Sequence, residues 1–213
     1  MKLKNVNLYV LRASGRLNPY VKAIEKIFEN TLVKVSNKIP ISDVDIIVRD
    51  NPNGAIPETG VGGFAHSPSF IDISLDPEFP HFLQIVINKN LERTFAHELN
   101  HAARWNTVGY GTTLLEAMIS EGLADHFEVE VTKNKPSPWD TALDKEQLII
   151  FSKKAEKEYY NEKYNHSEWF FGSKEIPRWT GYTIGYNIVA EYLKNHSKKK
   201  PSDIYSLKAE EFI

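Results

Sequence analysis

The chain of 213 residues is 41% hydrophobic and 12% aromatic with a net charge of −2, which suffices for one packed core and argues against nucleic acid as the main partner. Cysteine is absent, so a disulfide framework and thiolate metal ligands are excluded. Neither an N-terminal signal peptide nor a run of ~20 apolar residues is found, which predicts a cytoplasmic protein without a membrane partner.

The first part of the chain predicts strands and one helix. A strand at 6–11 precedes a helix at 19–33, and further strands are predicted at 44–48 and 70–75 from their apolar periodicity. Residues 50–63 are rich in glycine and proline and predict a long loop. The fold class that follows is α+β with a small mixed sheet.

The segment 62–66, Gly-Gly-Phe-Ala-His, is a candidate edge strand. Its glycines permit close backbone approach, and an edge strand offers unpaired backbone groups to an extended peptide. The alternative is a plain loop, in which His66 is only solvated.

The most specific feature is the HExxH motif His97-Glu98-Leu99-Asn100-His101. A chain of this composition is expected to contain about 0.02 such motifs by chance. On a helix, residues four apart differ by about 40° in azimuth, so both imidazoles reach one metal ion while Glu98 lies beside it. His97 and His101 are therefore predicted metal ligands, and Glu98 is the predicted catalytic base.

A helix over residues 89–106 is predicted to carry this motif, because apolar residues recur there at helical spacing without glycine or proline. We expect Asn88 or Asn90 to cap its N-terminus. Arg93, Asn100 and Arg104 fall on the side opposite the apolar residues, and we expect that side to face water.

A catalytic zinc ion takes three protein ligands and keeps one position for water, so a third ligand is required. A second predicted helix, at 114–131, offers Glu116 and Glu121. Thr113 and Glu116 have the spacing of a capping box, which gives Glu116 a structural role. Glu121 is therefore the predicted ligand. Asp125 shares its face and is the predicted acceptor for the far ring nitrogen of a liganding histidine, unless both acids form a solvated stripe.

Three phrases carry a family resemblance: Phe-Ala-His-Glu-Leu-Asn-His at 95–101, Ser-Glu-Gly-Leu-Ala-Asp-His-Phe at 120–127 and Gly-Tyr-Thr-Ile-Gly-Tyr at 181–186. HExxH followed after nineteen residues by Glu-x-x-x-Asp resembles the gluzincin metallopeptidases of the thermolysin type. Together the phrases resemble the YjaZ group of predicted zinc-dependent proteases. The resemblance implies a zincin-like fold, one zinc ion per chain and peptidase activity on peptides or proteins.

Peptide hydrolysis also requires a donor to the developing oxyanion besides zinc. Gluzincins commonly use a tyrosine or histidine, and Tyr182 and Tyr186 fall on one face of a predicted helix. Arg178 is a further candidate. The alternative is that these aromatics belong to the core, and that Gly181 and Gly185 serve close helix packing.

The predicted organisation is a single zincin-like domain over 1–213. It comprises a sheet-containing part at 1–88 and a mainly helical part with the metal site at 89–213. The aromatic-rich segment 159–171 either covers the cleft or forms a satellite core.

Two other functions are compatible with the sequence. The chain is alternatively a zinc-binding regulatory or interaction protein without catalysis, or a zinc hydrolase of a non-peptide amide or ester. Glu98 argues against the first alternative, because a structural zinc site does not require a base.

Overall fold

Among residues 1–3 and 5–213, which the computed structural model describes, five strands pair into one mixed sheet. They are β1 (Lys2–Leu3), β2 (Val6–Val10), β3 (Val44–Asp50), β4 (Val61–Ser67) and β5 (Phe70–Leu75). Their order in the sheet is β1-β2-β3-β5-β4. The pairs β2–β3 and β3–β5 are parallel, whereas β1–β2 and β4–β5 are antiparallel. The predicted small mixed sheet is confirmed.

The chain divides into two units, Met1–Asn106 and Thr107–Ile213. The first contains the sheet with helices α1 (Val21–Ser36) and α2 (Leu91–Trp105). The second contains α3 (Leu114–Thr132), α4 (Lys145–Glu156), α5 (His166–Phe171), α6 (Thr180–Asn195) and α7 (Pro201–Ile204). The α+β class with a mainly helical C-terminal part is confirmed. The boundary between the units follows the HExxH helix, and the single-domain organisation stays a prediction.

The core of the first unit forms between the sheet and its helices. Ile46, Ile71 and Ile73 share one face of the sheet and have no exposed surface, whereas Asp45 on the opposite face of β3 is exposed. The rings of Phe28 on α1 and Phe95 on α2 meet edge to face at 5.2 Å. Each such buried side chain stabilises the fold by roughly 1.5–3 kcal/mol, and this packing fixes the position of α2.

Helix α2 begins differently from the prediction. Residues 83–90 form π-helical turns that lead directly into it, and the amide of Leu91 donates to the carbonyl of Val86. Because preceding carbonyls accept from its first amides, α2 needs no side-chain cap. Asn90 makes no cap and instead donates through Nδ2 to the carbonyl of Thr59 at 2.8 Å. The predicted asparagine cap is wrong.

The polar side of α2 also departs from expectation. Asn100 and Arg104 are buried, with 0% and 2% of their surfaces exposed, so the prediction that they face water is wrong. A helical period identifies the apolar side of a helix, but it does not show whether the polar side is buried as well. A charged side chain is rarely buried unless it is paired.

Helices α3 and α6 of the second unit approach each other through glycine. A Cβ on Gly185 would collide with the carbonyl oxygen of Met118, and one on Gly122 would collide with the backbone of Gly185. A Cβ on Gly181 would lie 2.8 Å from the ring of Phe170. The interpretation of Gly181 and Gly185 as packing residues is confirmed.

The start of α3 and the aromatic segment both agree with the sequence. The Glu116 carboxylate accepts from the Thr113 amide at 2.9 Å, and the Glu116 amide donates to the Thr113 hydroxyl at 3.3 Å, which confirms the capping box. Tyr159, Trp169 and Phe170 are buried in the core of this unit, as the satellite-core alternative predicts, whereas Tyr160 and Phe171 are exposed. Among the described residues, no helix has the length and apolar character needed to span a bilayer.

Candidate metal centre

His97 and His101 project from consecutive turns of α2 toward each other. Their Nε2 atoms lie 3.0 Å apart and their ring planes are inclined by 77°. Two imidazole nitrogens bound to one tetrahedral zinc ion at 2.0–2.1 Å lie about 3.3 Å apart. The pair therefore fits one edge of a zinc coordination shell with little movement. His101 is buried and His97 half-buried.

Glu98, between the two histidines in sequence, is buried against the backbone of β4. A Cβ on Gly63 would lie 2.5 Å from its Oε1 and 2.6 Å from its Cγ. Glycine is therefore required at position 63 for the Glu98 side chain to keep this position. At Gly63 the group that approaches closely is the glutamate of the motif, and the close approach of a substrate peptide stays a prediction.

The segment 62–66 lies within β4, which ends the order of the sheet and pairs with β5 alone among the described strands. The edge-strand prediction is confirmed and the loop alternative is wrong. Phe64 is 60% exposed. His66 stacks on Phe70 at 5.0 Å and meets the ring of Phe64 at 4.6 Å, so it belongs to the strand surface.

Glu121 on α3 is buried, with 6% of its surface exposed, and the phenol of Tyr110 donates to its Oε1 at 2.5 Å. Burial, then the charge of Glu121, raises the pKa of Tyr110 well above its usual value. The phenol therefore keeps its proton and orients the carboxylate. Sequence reasoning missed Tyr110, whose only signal is an aromatic residue between glycines in a loop.

Asp125 lies one turn after Glu121 and is fully buried, which excludes the solvated acidic stripe. The indole of Trp139 donates to its Oδ1 at 3.2 Å. Carboxylate oxygens of Asp125, Glu128 and Asp140 all lie within 4.8 Å of one another. Burial, reinforced by the two neighbouring carboxylates, raises the pKa of Asp140 to about 10. Trp139 and Asp140 were not identified from the sequence.

The two candidate tyrosines of α6 have different surroundings. Tyr186 stacks on His126 with ring centroids 3.8 Å apart, and its carbonyl lies 2.9 Å from His126 Nε2. Burial lowers the pKa of His126, which favours a neutral packing residue. Tyr182 packs at 5.1 Å from Phe170, and its electrostatic effect contributes to the raised pKa of Tyr110. Tyr182 therefore lies close enough to Tyr110 to act on it electrostatically.

Arg178, the third candidate donor, lies with its guanidinium 4.0 Å above the ring of Trp179. Trp179 has a left-handed backbone at φ 71°, where a bulky residue is strained. The pair marks the start of α6.

Two further polar residues near Glu121 were not identified from the sequence. The phenol oxygen of Tyr164 lies 3.0 Å from His166 Nδ1. Burial, then the charge of Glu121, raises the pKa of Tyr164 to about 12. Burial lowers the pKa of His166, an effect that Glu121 partly offsets. Nothing in their sequence spacing relates them to the Glu-x-x-x-Asp phrase.

The donors fit the chemistry of a hydrolytic zinc ion. Within the first unit, two imidazole nitrogens converge. Within the second unit, a phenol orients a buried carboxylate. Nitrogen and oxygen ligands without thiolate are typical of zinc that activates water.

Residues 24–213 match the family model described as "Predicted Zn-dependent protease (DUF2268)". A curated relative, "Uncharacterized protein YjaZ" of Bacillus subtilis (strain 168), is 32% identical over 127 residues, which cover 55% of this chain and 47% of that protein. The match spans about half the length of this relative. No solved structure matches the chain.

Proposed function

This chain belongs to the family of predicted Zn-dependent proteases (DUF2268), and on that premise we propose that it hydrolyses peptide bonds, with zinc as cofactor and Glu98 as general base. The observation that carries the proposal is the pair of imidazole nitrogens 3.0 Å apart on the same helix as the buried Glu98. The base distinguishes a hydrolase from a protein that only binds zinc.

His97, His101 and Glu121 hold one zinc ion. The histidines are supported by their convergence, and Glu121 by its burial, its oriented carboxylate and its gluzincin-like spacing from the motif. Zinc, when bound, lowers the pKa of a coordinated water toward ~7 and polarises the substrate carbonyl. Asp125 accepts a hydrogen bond from the far nitrogen of a liganding imidazole and fixes its tautomer.

Glu98 takes the proton of the attacking water and passes it to the leaving amine. Its contact with Gly63 limits where the carboxylate can turn. The base is therefore held beside β4 before substrate arrives, which lowers the cost of organising the transition state.

Strand β4 is the proposed binding edge for an extended peptide. The edge of β4 away from β5 offers backbone groups after Val61, whose carbonyl accepts from the Ile56 amide, so pairing there depends little on substrate sequence. Phe64 and His66 add an exposed aromatic surface to the strand. The substrate is accordingly a peptide or an unfolded protein segment.

A tyrosine of α6 or Arg178 donates to the oxyanion. Tyr182 is favoured over Tyr186, because Tyr182 influences Tyr110 beside Glu121, whereas Tyr186 is stacked on His126. Tyr182→Phe should lower kcat and leave zinc affinity unchanged. Unchanged kcat in that variant would assign the donor to Tyr186 or Arg178.

The proposed location is the cytoplasm, and neither nucleic acid nor membrane is a proposed partner. A net charge of −2 and the absence of cysteine accord with this assignment. Cell fractionation with an antibody to the chain tests it.

The deciding experiment measures zinc content and cleavage of a mixed peptide library on the same samples. We expect about one zinc per chain in the wild type and in Glu98→Gln, but peptide cleavage only in the wild type. His101→Ala and Glu121→Ala should lose both. Glu92→Gln, at the start of the same helix, is the matched control and should retain both. A wild type without zinc contradicts the proposal, and zinc without cleavage favours the binding or non-peptide alternatives.

A further inference from the structure

We propose that Trp139 is a positioning residue of the metal centre, which strengthens zinc binding by fixing the carboxylate of Asp125. This inference rests on the proposed function, in which Asp125 orients a zinc-bound imidazole. Trp139 belongs to a short 3₁₀ turn, Pro138–Thr141. That turn lies outside the sequence motifs of the family resemblance, so its role follows from contacts alone.

The central contact joins the indole to the carboxylate. Trp139 Nε1 donates to Asp125 Oδ1 at 3.2 Å, and Asp125 is fully buried while Trp139 is half-buried. An indole has a single donor. When the indole N–H donates to one oxygen of a buried carboxylate, it fixes the rotation of that carboxylate. The direction of the other oxygen is then fixed as well.

The backbone of Trp139 is anchored to α6. The hydroxyl of Thr183 donates to the Trp139 carbonyl at 2.6 Å and accepts from the Ala142 amide at 3.2 Å. Thr183 is 1% exposed, so water does not compete for these bonds. One hydroxyl thus holds two points of the turn.

The turn is also anchored to α3, the helix that carries Asp125. The hydroxyl of Ser137 donates to Glu128 Oε1 at 3.2 Å, and the Ser137 amide donates to Asp140 Oδ2 at 2.5 Å. Ser137 and Glu128 are each 2% exposed. Because both helices hold the turn, the indole has little freedom to leave Asp125.

Asp140 supports the same carboxylate. One of its oxygens lies within 4.8 Å of one oxygen each of Asp125 and Glu128. Burial and these neighbouring charges raise the pKa of Asp140 to about 10, so it is protonated at neutral pH. Its carboxylic acid then hydrogen-bonds to Asp125, which gives that carboxylate a second contact besides the indole.

We expect this arrangement to affect zinc affinity as well as the stability of the fold. Outer carboxylates that orient liganding histidines typically contribute 10–100-fold to metal affinity. A residue that fixes such a carboxylate shares that effect. A purely structural Trp139 would change thermal stability without changing zinc affinity.

The test measures the zinc dissociation constant by competition with a chromophoric chelator, together with the melting temperature of the metal-free protein. Trp139→Phe removes the donor and keeps an aromatic ring, and we expect about 10-fold weaker zinc binding. Trp179→Phe is the matched control, because Trp179 packs 5.8 Å from Trp139 in the same aromatic cluster. We expect its zinc affinity to equal that of the wild type.

A second pair acts on the anchor. Thr183→Val removes the hydroxyl and should weaken zinc binding several-fold, whereas Thr183→Ser keeps the hydroxyl and should restore wild-type affinity. This pair decides the matter should Trp139→Phe fail to fold. Wild-type affinity in Trp139→Phe, or equal affinities in the two Thr183 variants, overturns the inference. In that case the loss of zinc in His101→Ala still supports the proposed function, whereas a wild type that binds no zinc overturns both.

Discussion

Helix α2 carries one half of the proposed set of zinc ligands and helix α3 the other, and the polar side chains of the two helices are held in place by different means. On α2, two histidines face each other because of helical spacing, and Glu98 rests against the backbone at Gly63. On α3, Glu121 and Asp125 are held by side chains from loops of the second unit, Tyr110 and Trp139. The polar side chains of α2 are therefore positioned mainly by the helix that carries them. Those of α3 are oriented by residues distant in sequence.

The largest effect should follow from disturbing the α2 half at Gly63. Gly63→Ala places a methyl group where Glu98 lies, so we expect turnover to fall by about 100-fold or more, with zinc content unchanged. Steady-state kinetics and metal analysis measure the two effects. Ser67→Ala, at the end of the same strand, is the control and should retain kcat. Undiminished kcat in Gly63→Ala would show that Glu98 does not need its present position.

A somewhat smaller effect should follow from removing the support of the α3 half. Tyr110→Phe deletes the donor to Glu121 and should weaken zinc binding about 30-fold, because the carboxylate loses its fixed orientation. Tyr164→Phe is the comparison, because the Tyr164 phenol oxygen lies 3.0 Å from His166 Nδ1, and it should weaken zinc binding less. Chelator competition gives both constants. Equal zinc dissociation constants in Tyr110→Phe and the wild type would show that Glu121 does not depend on Tyr110 for its orientation.

The acidic group beside Asp125 should appear in the pH dependence of stability. The folded pKa of Asp140 is raised to about 10, above an unfolded value of about 3.9, so its stabilising contribution is complete below pH ~4 and is lost as pH rises toward ~10. Asp140→Asn mimics the protonated acid and should remove this loss. As pH rises, the free energy of unfolding of Asp140→Asn should increase relative to that of the wild type by at most about 1.4 kcal/mol per pH unit. Denaturant titrations of metal-free protein at pH 5, 7 and 9 measure it; a constant difference contradicts a protonated Asp140.

The smallest effect concerns stability without chemistry. Thr113→Ala removes one half of the capping box of α3 and should lower the free energy of unfolding by about 1 kcal/mol. Zinc affinity per folded molecule should not change, since Glu121 is held by Tyr110. A weaker zinc constant in this variant would mean that the α3 half also depends on its own helix.

The same contrast explains how far the sequence predicted the molecule. The HExxH helix, the capping box at Thr113 and strand β5 depend on spacing within a few residues, and these predictions agree with the structure. Periodicity and turn chemistry act over such distances. The edge strand at 62–66 was recognised for a related reason, its glycines.

The residues that hold α3 were missed because no local pattern encodes them. Tyr110 and Trp139 lie in loops, and their partners are fixed only when the second unit folds. Asn100 and Arg104 were misjudged because hydropathy treats a buried polar group as an exposed one. The cap of α2 was wrong because π-helical turns, which have no simple sequence signature, replace it.

One face of strand β4 contacts Glu98, and the other face is exposed. Gly63 and Ala65 lie on the face where Glu98 packs, whereas Phe64 and His66 alternate onto the exposed face. Divergence within the lineage can therefore proceed through positions 64 and 66 while position 63 stays glycine. On this strand, the position that must stay small for Glu98 to keep its place is thus separate from the exposed positions, where substitutions leave Glu98 undisturbed.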